Sequence, residues 1–265
     1  MTIAGLLTLG GLGFAGGCSD MKPGNLAAVQ PTTLSPRVGN VFLFRGIVGV
    51  FSTGLDRLGV EINNAGVRAD VYQDDQWKDL AATLIDRFQR RPDAEPIIMV
   101  GHSWGADHII MIAQRLNAVH IPVALILTLD PVTPPDVPSN VIRCENLYQT
   151  NGWVDIMPWF RGVELKAANS TITVVANYNL HDVELGKLHP ELYAPDANHF
   201  SIEKEQKVHE EVIRQVLALC PPRAVWYAQR NAAHNATLVQ YPATQPTAAE
   251  MPTTKPARTL AAASN

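Results

Sequence analysis

The chain has few cysteines, no surplus of positive charge and no long apolar run. Three cysteines in 265 residues leave room for at most one bridge. Lys and Arg total 21 against 25 Asp and Glu, a net charge of −4, so the basic footprint of a nucleic-acid binder is missing. No stretch reaches the roughly 18 apolar residues that a membrane-spanning helix needs. No internal repeat is present, which excludes a solenoid or a propeller. What is there is the balance of a globular domain, 46% hydrophobic and 17% charged residues. At this length one α/β domain with a sizeable core and tails is expected.

The N-terminus combines an absence with a pattern. Met1 to Thr8 contains no Lys or Arg, which secretory signals normally carry. Yet Ile3 to Phe14 is apolar and glycine-rich, and Ala15-Gly16-Gly17-Cys18 follows. Small residues directly before a cysteine resemble the lipobox of bacterial lipoprotein signal peptides. That resemblance implies a signal peptide over residues 1–17, lipid on Cys18, and a protein tethered to a membrane of the bacterial cell envelope. Residues 18–39, with Pro23, Gly24, Pro31 and Pro36, read as the linker to the domain. Cys144 and Cys220 are then either an even pair that bridges or two separate buried thiols.

Strand and helix patterns alternate over residues 40–220. Short apolar or alternating runs at 41–44, 67–72, 96–100, 123–129, 140–148 and 171–176 predict strands. Helical spacing predicts helices over about 52–63, 77–89, 106–116 and 202–219. This order is that of a mostly parallel sheet covered on both faces. From residue 221 the composition shifts to Pro, Thr, Ala and Gln, and 221–265 is expected to be disordered.

The most informative segment is Gly101-His102-Ser103-Trp104-Gly105. It fits G-x-S-x-G and lies between a predicted strand and a predicted helix. A nucleophile presented on such a turn needs small residues two before and two after it, and Gly101 and Gly105 meet that need. An unassisted hydroxyl is a poor nucleophile, so Ser103 requires a base. His199 lies between the last predicted strand and the last helix, where the base falls in chain order, and His181 is the alternative. His120 and His209 read as loop and exposed-helix positions. His181, Asp182 and His189 match no metal-ligand spacing. Asp130, at the end of the strand after the nucleophile helix, is the preferred acid, and Asp155 is its rival. An oxyanion hole needs two backbone N–H donors. Trp104 is expected to supply one, and the loop after the first strand the other through Ile47, with its neighbour Gly46 as the alternative.

Over about residues 40–220 these features resemble the α/β-hydrolase superfamily. Gly-His-Ser-Trp-Gly-Ala-Asp resembles a lipase-type elbow. Thr128-Leu-Asp-Pro-Val132 is similar to the Leu-Asp-Pro segment of pancreatic-type lipases, whose aspartate is the triad acid. Val154-Asp-Ile-Met-Pro158 is similar instead to the Asp-x-Val-Pro of fungal-type lipases, whose acid follows the next strand. The resemblance implies an α/β-hydrolase fold and serine-dependent cleavage of a small-molecule or lipid-like ester, thioester or amide, without metal or organic cofactor. No large insertion offers a lid, which favours an esterase or thioesterase over an interfacial lipase. A peptidase or acyltransferase with the same triad, and a catalytically silent binding module of the envelope, are the rival expectations.

Overall fold

The computed structural model describes residues 23–30, 32–46, 52–91, 95–150 and 162–240. The sequence expectations for residues 1–17, Cys18, Ile47, Asp155 and the tail beyond 240 fall outside these residues.

Six strands form one sheet: β1 (Asn40–Phe44), β2 (Arg68–Tyr72), β3 (Ile97–His102), β4 (Leu125–Leu129), β5 (Arg143–Tyr148) and β6 (Val174–Asn179). Their order is β2-β1-β3-β4-β5-β6, and every neighbouring pair is parallel. Parallel strands need crossover helices, which bury both faces of the sheet. The apolar runs of β1, β3 and β4 follow from that, and every residue in them is buried.

Alternation along each strand feeds two cores. Val41 and Leu43 of β1 join Ile98 and Val100 of β3 on one face. There they meet α1 (Gly54–Asn64) through Leu55, Leu58 and Ile62, and α5 (Gln206–Leu219) through Val208, Val212 and Val216. Phe42 and Phe44 point the other way, with Ile97 and Met99, onto α2 (Trp77–Arg90) and α3 (Trp104–Asn117). The chain leaves β1 outward to β2, then returns to the opposite side of β1 as β3. Strand order therefore reverses between β1 and β3, and an open parallel sheet binds ligands just outside the carboxyl ends at such a reversal. Here those ends are Arg45-Gly46 and His102-Ser103.

Four expectations need correction. β6 begins at Val174 rather than at residue 171, because Asn169 gathers the three preceding residues into a turn. Its side chain accepts from the Thr171 N–H at 3.0 Å and its carbonyl from the Thr173 N–H at 3.1 Å. A short helix, α4 (Val183–Leu188), follows β6, with the Asp182 carboxylate accepting from the Glu184 N–H at its N-terminus. His209 is fully buried rather than exposed: its ring sits between the Glu61 carboxylate at 2.7 Å and the Glu203 carbonyl at 2.9 Å. The segment expected to be disordered from residue 221 opens with α6 (Arg223–Gln240). Pro221 and Pro222 sit where proline suits a helix start, and the next proline is Pro242. The Ala, Gln and Arg residues between them favour a helix. From Ala224 the chain is a separate unit.

Cys144 and Cys220 are both buried free thiols. Burial pushes the Cys220 thiol up to about 12. The bridge between them does not form.

Candidate active site

Ser103 follows directly on β3 and precedes α3. Its backbone is held at φ 57° and ψ −126°, a conformation that side-chain-bearing residues rarely adopt and that persists only when surroundings over-determine it. Those surroundings are visible. The Ser103 N–H donates to the Leu129 carbonyl of β4 at 2.9 Å, and the Ser103 carbonyl accepts from Ala106 N–H at 3.0 Å. A side chain at Gly105 would collide with the Phe44 and Arg45 carbonyls, so glycine there lets α3 start against the end of β1. Trp104 is the first residue of α3, so its backbone N–H has no acceptor within the helix.

The structure brings Ser103, His199 and Asp130 together across 96 and 69 residues of chain. His199 Nε2 lies 3.0 Å from Ser103 Oγ, and His199 Nδ1 lies 3.3 Å from Asp130 Oδ2. A carboxylate only accepts, so Nδ1 carries the proton and Nε2 is left to accept from the serine hydroxyl. Asp130 directly follows β4, with its own left-handed backbone, φ 49°. It is fully buried, yet its oxygens are satisfied. Oδ1 accepts from the Gln149 N–H at 2.9 Å and Oδ2 from the Gln149 side-chain amide at 3.0 Å.

The alternative base, His181, is elsewhere. Its ring nitrogens face the Thr150 carbonyl at 2.8 Å and the Ala197 carbonyl at 2.7 Å, so it braces the loop ahead of His199. Of the two neighbours weighed as oxyanion donors, Gly46 has its N–H committed to Ser52 Oγ at 3.1 Å. A Cβ at Gly46 would stand 2.9 Å from Ser103 Cβ, which shows how closely this loop approaches Ser103. Among the described residues no group of three or more His, Cys, Asp or Glu side chains is placed to hold a metal ion.

Three residues that the sequence did not single out support the site. Gln149 holds the Asp130 carboxylate. Asp107, on α3, accepts from the Val132 and Thr133 N–H groups at 3.1 and 2.8 Å, fixing the loop that follows Asp130. Burial raises the Asp107 carboxyl, and these bonds oppose the rise. His102 is pushed down to about 3, first by burial and then by the nearby His199, so it stays a neutral imidazole. Gln149 reaches Asp130 because β5 pairs with β4 and brings its C-terminal end beside it.

Sheet order, the strand–turn–helix at Ser103 and the placement of the histidine after the last strand define an α/β-hydrolase fold. No family model matches the sequence, and no curated protein matches it. Among solved structures the chain is similar to a cutinase-like protein from Cryptococcus sp., at 14% identity over 68% of this chain and 94% of that one, with a TM-score of 0.41. It is similar to the NocB thioesterase domain from the nocardicin cluster, at 12% identity, 72% and 96% coverage and a TM-score of 0.39. Est1E from Butyrivibrio proteoclasticus matches at 11% identity, 62% and 88% coverage and a TM-score of 0.34.

Proposed function

We propose that the protein is a serine hydrolase that cleaves a carboxylic ester or thioester through an acyl-enzyme. The observation that carries this reading is the continuous hydrogen-bonded line from Ser103 Oγ through His199 to Asp130, at 3.0 and 3.3 Å, beside the reversal point of the sheet. His199 Nε2 takes the Ser103 proton as Oγ attacks the carbonyl carbon. Asp130 orients the ring and stabilises the imidazolium. The tetrahedral oxyanion rests on the Trp104 N–H and on the Ile47 N–H, since Gly46 donates elsewhere. His199 then returns the proton to the departing alcohol or thiol. Water, activated by the same nitrogen, releases the acid and regenerates Ser103. Each step uses only side chains, backbone N–H groups and water.

The same proposal puts lipid on Cys18 and the domain on an envelope membrane, supported by the lipobox-like Ala15-Gly16-Gly17-Cys18. Intact mass of protein from a bacterial envelope is expected to fall by the lipid increment in Cys18→Ser; an unchanged mass contradicts the anchor.

A p-nitrophenyl ester series and acyl-thioesters of matched chain length test the chemistry. Pre-steady-state release of one equivalent of p-nitrophenol per protein, abolished in Ser103→Ala, is the expected result. Turnover that persists in Ser103→Ala overturns the proposal, and complete inactivity of the folded protein favours the binding module.

A further inference from the structure

Behind the candidate nucleophile lies a second line of hydrogen bonds that the relay from Ser103 to Asp130 does not use. Ser52 Oγ is 2.8 Å from His102 Nδ1, and His102 Nε2 is 2.8 Å from the backbone carbonyl of His199. Ser52 also receives the Gly46 N–H at 3.1 Å. Ser52 and His102 are 1% and 2% exposed, so water does not compete for these bonds. The direction of each follows from chemistry alone. The His199 carbonyl can only accept, so His102 Nε2 carries the ring proton and donates. A neutral ring then leaves Nδ1 as an acceptor, which takes the Ser52 hydroxyl proton. The oxygen of that hydroxyl accepts from Gly46. One ordered chain therefore runs from Gly46 N–H through Ser52 and His102 to His199 C=O.

We infer that Ser52 and His102 are positioning residues that lock three separate loops into one register: the loop after β1, the turn at Ser103, and the loop that carries His199. The inference rests on the hydrolase reading above. Each end of the chain touches backbone next to a reacting group. Gly46 precedes Ile47, and the Gly46–Ser52 bond ties together the two sides of the segment between them. The His199 carbonyl belongs to the residue whose Nε2 faces Ser103. His102 is the residue before the nucleophile, so it connects both loops to the turn itself. The neutrality of His102 also serves the reaction. Its ring centroid is 5.0 Å from that of His199, and a positive charge there would oppose the imidazolium that forms during attack.

A misplacement of about 1 Å costs on the order of a hundredfold when reacting groups depend on alignment. The test uses Ser52→Ala, His102→Phe, the double variant and His102→Gln, with p-nitrophenyl butyrate as substrate. Active sites are counted by complete labelling with a fluorophosphonate, so kcat is expressed per labelled site, and melting temperature is recorded alongside. Ser52→Ala and His102→Phe are each expected to lower kcat per site about tenfold to a hundredfold with KM nearly unchanged, because aligned donors act on the transition state. The double variant is expected to be no worse than the more damaging single one, as for members of one network. His102→Gln, which restores an N–H where Nε2 stood, recovers part of the loss. Fewer labelled sites with unchanged kcat per site would mean a purely structural role and would overturn the inference. So would single losses that multiply in the double variant. Active wild-type protein with an unaffected Ser52→Ala overturns the positioning role of Ser52 and His102 alone. Wild-type protein that neither labels nor turns over overturns the hydrolase reading, and the positioning role with it.

Discussion

Gln149 gives the buried Asp130 two of its hydrogen bonds, and it thereby fixes which oxygen faces His199. The backbone N–H of Gln149 holds Oδ1 as an acceptor, so in Asp130→Asn the amide oxygen settles there and the NH2 group turns toward Nδ1. Nδ1 would then accept, the ring proton would move to Nε2, and no base would face Ser103. A fall in kcat on the order of 10⁴ is expected, measured on a p-nitrophenyl ester; full activity would hand the acid role to another residue, such as Asp155. At the same scale, His102 with its value near 3 takes up no proton above about pH 4. The acid limb of kcat/KM is therefore expected to fit a single ionisation, and a second one between pH 4 and 7 would contradict a neutral His102. Ser103, Asp130 and His199 were legible from pattern and chain order: a glycine-flanked serine, an aspartate just after a strand, and a histidine between the last predicted strand and the helix expected after it. Ser52 and His102 carried no such signal, since their roles exist only once loops far apart in sequence are packed together.

Elements explain why the turn at Ser103 holds its strained backbone. The start of α3 lies against the end of β1 without a side chain between them, so Gly105→Ala is expected to destabilise the fold by at least about 1–3 kcal/mol, read from denaturant midpoints. Asp107 ties α3 to the loop after Asp130, and Asp107→Ala is expected to cost about 1–3 kcal/mol by leaving two backbone donors unpaired. A stable variant with reduced kcat would assign that clamp to alignment more than to stability. Strand positions were legible from apolar runs, and the start of β6 was not. Thr171, Ile172 and Thr173 have strong strand preference, but Asn169 turns them, and side-chain capture of backbone is invisible to periodicity. The helix α6 was hidden by a compositional average that let the prolines after residue 241 speak for the 18 residues of the helix.

At the scale of the whole molecule, the 3-10 turn Ile202–Lys204 carries a buried carboxyl between the loop of His199 and α1. Burial holds Glu203 above its ordinary 4.5, although Lys204 at 3.3 Å draws it down. Its folded value exceeds the unfolded one, so the native state binds the extra proton, and stability declines as pH rises from about 4.5 through the raised value. Glu203→Gln is expected to raise the melting temperature at pH 7, with the difference shrinking toward pH 4. No gain at pH 7 would mean that its neighbours fully compensate the buried charge. The fold class was readable from alternating strands and helices, while the sheet order that puts β1 beside β3 required long-range pairing. That order sets Gly46 against Ser103, and all the proposed chemistry follows from it.

The most direct test of the hydrolase reading is covalent labelling of folded protein by a fluorophosphonate, with the modified residue located by peptide mass. One adduct per chain, on Ser103, lost in His199→Ala, is the expected result. Folded protein that stays unlabelled, or an adduct that forms equally well in His199→Ala, would contradict it.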